Sequence, residues 1–277
     1  MGASRAIVFV WIFFAAAATF AGNSKFATLK GSPDLRSASA IVLGENGDII
    51  YGKDVNTVRP IASITKLMTA MVILDAKLDL NENITITRED RDLIRQTGSR
   101  LGYGAVLSRR ELLLLALMSS ENRAASALGR TFPGGLQAFI AQMNHKAASL
   151  GMNNSGFADP AGLNANNVST ASDLAKMLAA ADGYPLITQS TTTKRKEVWP
   201  FAKRGPLTYG NTNRLLKNES WNIELSKTGY INEAGRCLVM QVYIAGENVS
   251  IILLNSFGKL TPYGDSNRLR KWLLAST

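Results

Sequence analysis

Three apolar runs that follow one another near the C-terminus constrain this chain more than any other feature. After Trp221, the segments Ile223–Tyr230, Arg236–Ala245 and Val249–Ser256 are rich in aliphatic residues and separated by turn formers. Such side chains suit a pleated, half-buried surface, so the runs predict three strands, the last two forming a hairpin around Gly246-Glu247-Asn248. Towards the other end, "SASAIVLGENGDIIYGKDVN" predicts two more strands joined at Glu45-Asn46-Gly47, because an Asn-Gly pair tolerates the positive φ of a tight turn. Helical signals fill the middle. Pro60 precedes an apolar run from Ser63 to about Ala76, and Ser108 with Glu111 forms a capping-box pattern ahead of "LLLLALM". Leu136 to Leu150 reads as a helix stopped by Gly151, Thr170 to Ala181 as another, and a closing helix carries Leu269, Trp272 and Leu273. Strands at both ends with helices between them predict one mixed α+β unit, an antiparallel sheet with an inserted helical lobe. A cleft between sheet and lobe is the natural site.

With 277 residues and 46% hydrophobic content the chain can bury a sizeable core. Its formal net charge of +10 is compatible with nucleic acid, a membrane surface or an acidic polymer. The densest basic cluster, Lys194, Arg195 and Lys196 followed by Lys203 and Arg204, carries no recognised nucleic-acid motif and reads as a solvated face. Only one cysteine, Cys237, and one histidine, His145, are present. Cys237 lies in "CLVMQVYI", a buried strand pattern, and His145 in "AQMNHKAASL", an ordinary helix pattern. A His-dependent triad or a zinc site is thereby disfavoured, so a hydrolase built on this chain needs a different base.

The segment 1–21 has one early positive charge, Arg5, then an apolar stretch from Ala6 ending in small residues, with Thr19 and Ala21 placed as at a signal-peptidase site. The stretch is shorter than the roughly 20 residues needed to span a bilayer, which predicts an exported, periplasmic protein and a cleaved leader. The expected division is a signal peptide at 1–21, an N-terminal extension at 22–37 and a single domain at 38–277.

Three short motifs follow in order. "SITK" sets Ser63 and Lys66 on one face at the start of a helix, where an amine with a lowered pKa takes the serine proton and helix N–H groups face developing negative charge. "SEN", Ser120 to Asn122, falls at a break between two helical runs; its hydroxyl is suited to proton transfer and its amide to holding a carbonyl or the lysine. "KTG", Lys227 to Gly229, lies on a predicted strand. There Lys227 and Thr228 suit a substrate carboxylate, Lys227 also depresses the pKa of Lys66, and Gly229 allows a backbone to approach. "SFGK" at Ser256 to Lys259 and "SWN" at Ser220 to Asn222 match two of these patterns by chance, being placed on a strand end and too near the third motif.

The ordered set resembles that of the low-molecular-mass penicillin-binding proteins, the serine-type D-alanyl-D-alanine peptidases. The likeness runs from about Ala38 onward and includes "RPIASITKLMTAMVILDA", "LLALMSSENRAASAL", "LGMNNSGFADPAGL" and "NTNRLL". It implies a β-lactamase/transpeptidase-like fold, with an antiparallel sheet flanked by N- and C-terminal helices and an inserted helical lobe, and a cofactor-free, metal-free acyl transfer. In it Ser63 is the nucleophile, Lys66 its base, Ser120 a proton-transfer group and Asn122 its orienter. Lys227 and Thr228 bind substrate, and the backbone N–H groups of Ser63 and Tyr230 form the oxyanion hole. Some relatives carry His at the Tyr230 position, so only the backbone role transfers. The implied partners are peptidoglycan stem peptides and, as covalent inhibitors, β-lactams, with no nucleic acid; peripheral association with a membrane is left open. The "SSENRAAS" form and a chain ending soon after the catalytic domain are closest to the D-alanyl-D-alanine endopeptidases, which cut D-Ala–diaminopimelate cross-links. The alternatives are a D-alanyl-D-alanine carboxypeptidase, a serine β-lactamase, disfavoured because no Glu-x-x-Leu-Asn segment lies between Asn122 and Lys227, and an inactive peptidoglycan-binding scaffold.

Overall fold

A computed structural model describes residues 25, 26 and 29–275, so the expected leader lies outside the described residues. The chain opens with β1 (Ser39–Leu43) and β2 (Ile49–Lys53), an antiparallel pair joined by a turn in which Gly47 takes φ +81°. A two-residue strand β3 (Arg59–Pro60) leads into a 3-10 turn, Ala62–Ile64, and then α1 (Thr65–Asp75). The lobe follows: β4 (Asn83–Thr85) pairs with β5 (Val106–Ser108), then come α2 (Arg109–Met118), α3 (Asn122–Arg130) and α4 (Gly135–Ser149). β6 (Val168–Ser169) pairs back onto β3, followed by α5 (Ala171–Asp182), α6 (Pro185–Thr192) and a hairpin of β7 (Arg195–Val198) and β8 (Leu207–Gly210). Three long strands, β9 (Asn222–Ile231), β10 (Gly235–Ile244) and β11 (Glu247–Ser256), and the closing α7 (Thr261–Leu274) complete the chain.

The main sheet is antiparallel in the order β2-β1-β11-β10-β9. Alternation along each strand sends one set of side chains to each face. Leu225, Val239 and Ile252 join the core shared with α1 to α6, whereas Leu238, Met240 and Ile251 join a second core under α7 with Leu269 and Leu273. The N-terminal extension is part of this second core, since Phe26 and Leu35 are buried in it and the Asp265 carboxylate accepts from the Arg36 and Ser37 N–H groups. The expected mixed α+β architecture is the one observed; α7 is the expected C-terminal flanking helix, whereas among the described residues no helix precedes β1.

Local rules account for most boundaries. Ser108 accepts from the Glu111 N–H while the Glu111 carboxylate accepts from the Ser108 N–H, so the capping box starts α2 as anticipated. The β10–β11 turn is tighter than expected. Ala245 and Gly246 alone form it, with φ +53° and +83°, and Glu247 is already paired with Ile244. Two consecutive positive φ values match the right-handed twist of the flanking strands, which draws Glu247 and Asn248 into the ladder. Lys194, Arg195 and Lys196 are exposed at the start of the β7–β8 hairpin, and His145 is exposed on α4. Cys237 is buried on β10, where burial pushes its thiol up to about 11, far from a reactive thiolate.

Candidate active site

The free edge of β9 faces the lobe, and the residues of all three motifs meet along it. Ser63 is not the first residue of an α-helix; it sits inside the 3-10 turn that precedes α1. Ala62, just before it, is held at φ +48°. Ser120, between α2 and α3, is likewise left-handed at φ +60°. Such conformations cost a non-glycine residue about 1–3 kcal/mol each, and here both place a serine hydroxyl at the cleft.

Two glycines make the turn possible. A Cβ on Gly162, itself at φ +78°, would lie 2.0 Å from the Ala62 carbonyl oxygen. One on Gly229 would lie 2.8 Å from the Ile61 oxygen and 3.2 Å from the Ser63 nitrogen. The backbone packed against Gly229 of the "KTG" strand is therefore the turn that carries Ser63.

Lys66 is wholly buried in α1. Its Nζ donates to Ser63 Oγ (2.9 Å), Asn122 Oδ1 (2.9 Å) and the Ala161 carbonyl (2.5 Å). Those three acceptors consume the three protons of an ammonium. In a neutral amine, Asn122 Oδ1 and the Ala161 carbonyl, which cannot donate, keep the two remaining N–H groups. The lone pair is then left facing Ser63, whose hydroxyl donates to it. Burial lowers the Lys66 amine to about 8, against the pull of the Asp159, Glu121 and Asp92 carboxylates, which favour the charged form. Lys227, also buried, is held well below the usual lysine range, by burial first and by the charge of Lys66 second. The depression of Lys66 expected from its cationic neighbour is thus mainly a desolvation effect, and the repulsion falls on Lys227.

Lys227 Nζ donates to Ser120 Oγ (3.0 Å) and to the Thr228 carbonyl (2.9 Å), so the Ser120 hydroxyl proton remains available to the cleft. Thr228 Oγ1 donates to Thr212 Oγ1 (2.7 Å). Ser63, Ser120, Asn122, Thr228, Gly229 and Tyr230 line one cleft of about 590 Å³.

Two supports escaped the reading of the sequence. The Asp159 carboxylate accepts from the N–H groups of Ala161, Gly162 and Asn164, folding the loop that aims the Ala161 carbonyl at Lys66. Asp-Pro followed by Ala-Gly is a turn signature that marks this loop. Asp92 accepts from Thr97 Oγ1, which in turn accepts from Asn122 Nδ2 (2.9 Å), so the amide is oriented with its oxygen towards the amine.

In the expected role of base, Lys66 works as the free amine, which is present above its pKa. Acylation by a penicillin is therefore expected to speed up by about tenfold per pH unit below about pH 7 and to level off above about pH 9. Stopped-flow acylation rates across that range check this; a rate independent of pH would remove Lys66 from the role of base.

Comparison with known proteins gives a consistent picture. A family profile described as D-alanyl-D-alanine carboxypeptidase matches residues 26–258. The chain is 48% identical over 241 residues to a D-alanyl-D-alanine endopeptidase of Pseudomonas aeruginosa, covering 87% of this chain and 78% of that protein. It is 47% identical over 249 residues to a D-alanyl-D-alanine endopeptidase of Escherichia coli, covering 89% and 80%. Among solved structures, a Streptomyces DD-transpeptidase superimposes with a TM-score of 0.82 at 27% identity, covering 89% of this chain and 100% of that one.

Proposed function

Because this chain belongs to the D-alanyl-D-alanine carboxypeptidase family of serine peptidases, we propose that it is an endopeptidase that cleaves D-Ala–diaminopimelate cross-links of peptidoglycan through an acyl-serine intermediate. The observation that carries the chemistry is the Lys66 amine, buried, lowered to about 8 and 2.9 Å from the Ser63 hydroxyl. The Ser63 proton passes to Lys66 Nζ as Oγ bonds to the D-Ala carbonyl carbon. Backbone N–H groups of Ser63 and Tyr230 stabilise the oxyanion. Collapse of the tetrahedral adduct breaks the C–N bond, and the departing amine takes a proton from Ser120, which regains the one Lys66 took from Ser63 and so leaves Lys66 a free amine. Lys227 and Thr228 hold the carboxylate beside the departing amine. Water then attacks the ester carbonyl, losing a proton to Lys66, and frees Ser63. β-Lactams enter the same path and remain as acyl-enzymes.

The endopeptidase assignment is supported by the names of the two relatives at 48% and 47% identity, whereas more distant relatives, such as one from Bacillus subtilis at 28%, are named carboxypeptidases. The segment 1–21, outside the described residues, supports export to the periplasm, with residues 38–277 as the catalytic domain. No described helix is long and apolar enough to cross a membrane. Incubating the protein with purified muropeptide dimers is expected to yield monomers, read by mass. Release of terminal D-Ala from pentapeptides with dimers left intact would instead make it a carboxypeptidase.

A further inference from the structure

The cleft that holds the candidate catalytic groups also carries charge that the chemistry above does not use. Four cationic side chains line the cleft, Arg95, Arg214, Arg236 and Lys259, and among the described residues no Asp or Glu does. Arg95 is spoken for, since it pairs with Glu233 (2.8 Å) and donates to the Leu163 carbonyl. Arg214, Arg236 and Lys259 form no salt bridge among the described residues. Unpaired guanidinium groups gathered in a concave surface attract anions strongly, because each offers a planar fork of donors matched to a carboxylate.

Their placement is built rather than scattered. Arg236 on β10 lies opposite Tyr230 on β9, and its guanidinium stacks on the Tyr230 ring at 3.5 Å from the centroid. Stacking holds the fork flat and leaves its edge N–H groups free to bind in plane. Arg214 opens the short 3-10 turn Arg214–Lys217, anchored by Asn213, whose side chain accepts from the Leu215 N–H. Both arginines line the same cleft as Tyr263, whose hydroxyl donates to the carbonyl of Thr212, and Thr212 Oγ1 in turn accepts from Thr228. Thr228, the carboxylate-binding candidate, lies two residues before Tyr230 on β9. A single stem-peptide carboxylate satisfies Lys227 and Thr228, so Arg214 and Arg236 are available to a second anionic group on the substrate.

We propose that Arg214 and Arg236 form a second carboxylate subsite that reads an additional free carboxylate on the amine-donating stem of a cross-linked peptide. The inference rests on the endopeptidase reading and specifies what that enzyme selects: acidic stems with that carboxylate free, over stems in which it is amidated.

The test compares two cross-linked muropeptide dimers, one with free stem carboxylates and one with the carboxylates outside the scissile diaminopimelate centre amidated. Wild type is expected to favour the free-carboxylate dimer by about tenfold in kcat/KM, as lost charge-assisted hydrogen bonds dictate. In Arg214→Gln/Arg236→Gln the preference is expected to fall to within about twofold. A wild type with no preference, or a preference undiminished in the double variant, overturns the proposal. Both side chains reach solvent, so the fold is expected to survive, and matching unfolding curves check it. Binding of the same two dimers to Ser63→Ala protein, with and without the arginine changes, separates the two readings. An arginine-dependent preference in binding without cleavage by wild type keeps the subsite and removes the endopeptidase; cleavage without such a preference does the reverse.

Discussion

Replacing Ser63 by alanine is expected to abolish covalent labelling by a fluorescent penicillin and to lower peptide turnover by about 10⁴-fold or more, because nothing else at the site bonds to the acyl carbon. Ser63 Oγ accepts from Lys66 Nζ and reaches the Ala161 carbonyl only at 3.5 Å, while Lys66 retains Asn122 and Ala161 as partners. The fold therefore loses about one modest hydrogen bond, on the order of 1 kcal/mol, and the melting temperature moves by only a few degrees. Gel fluorescence and a thermal melt read both effects. Labelling of the variant at the wild-type level would mean that another side chain carries the acyl group.

Substituting Lys66 with arginine is expected to have the next largest effect, lowering acylation by about 10³-fold or more. A guanidinium is protonated at every accessible pH and offers no lone pair to the serine. The more telling readout is the pH profile. In wild type the rate rises as the amine near 8 loses its proton; in the variant that rise is expected to vanish, leaving a flat residual rate. A residual rate still climbing through pH 8 would assign the base to another group, Lys227 being the nearest amine. Should the larger guanidinium disturb the packing around a fully buried position, Lys66→Gln gives the same pH readout with a smaller side chain.

The reacting side chains were legible because their chemistry resides in residue types at short spacings. Ser63 with Lys66, Ser120 with Asn122, and Lys227 with Thr228 and Gly229 are each local patterns, and the structure sets Ser63, Ser120, Asn122, Thr228 and Gly229 on one cleft with the Lys66 and Lys227 amines bonded to the two serines. The long strands and capped helices were legible for a related reason: apolar alternation and a Ser-x-x-Glu cap depend on neighbours in the chain. The elements that were missed lack such local signals. α6 spans "PLITQSTT", whose Thr and Ser content favours no helix, yet it forms because Ile187, Ser190 and Thr191 are buried against the lobe. The β7–β8 hairpin hid behind its basic residues, and in β7 only Val198, which is apolar, is buried.

Residue type and spacing alone thus determined the fold class and pointed to Ser63 and Lys66 as the candidate pair, since a single His on a helix of the lobe disfavours a histidine base. Only the tertiary structure decided what leaves that lysine able to exist as a free amine near neutral pH. Its desolvation comes from burial by residues far apart in the chain, and the direction of its lone pair from an Asn122 oxygen and an Ala161 backbone carbonyl. A backbone carbonyl has no signature in a sequence, because every residue carries one and only the fold says which of them points at the amine.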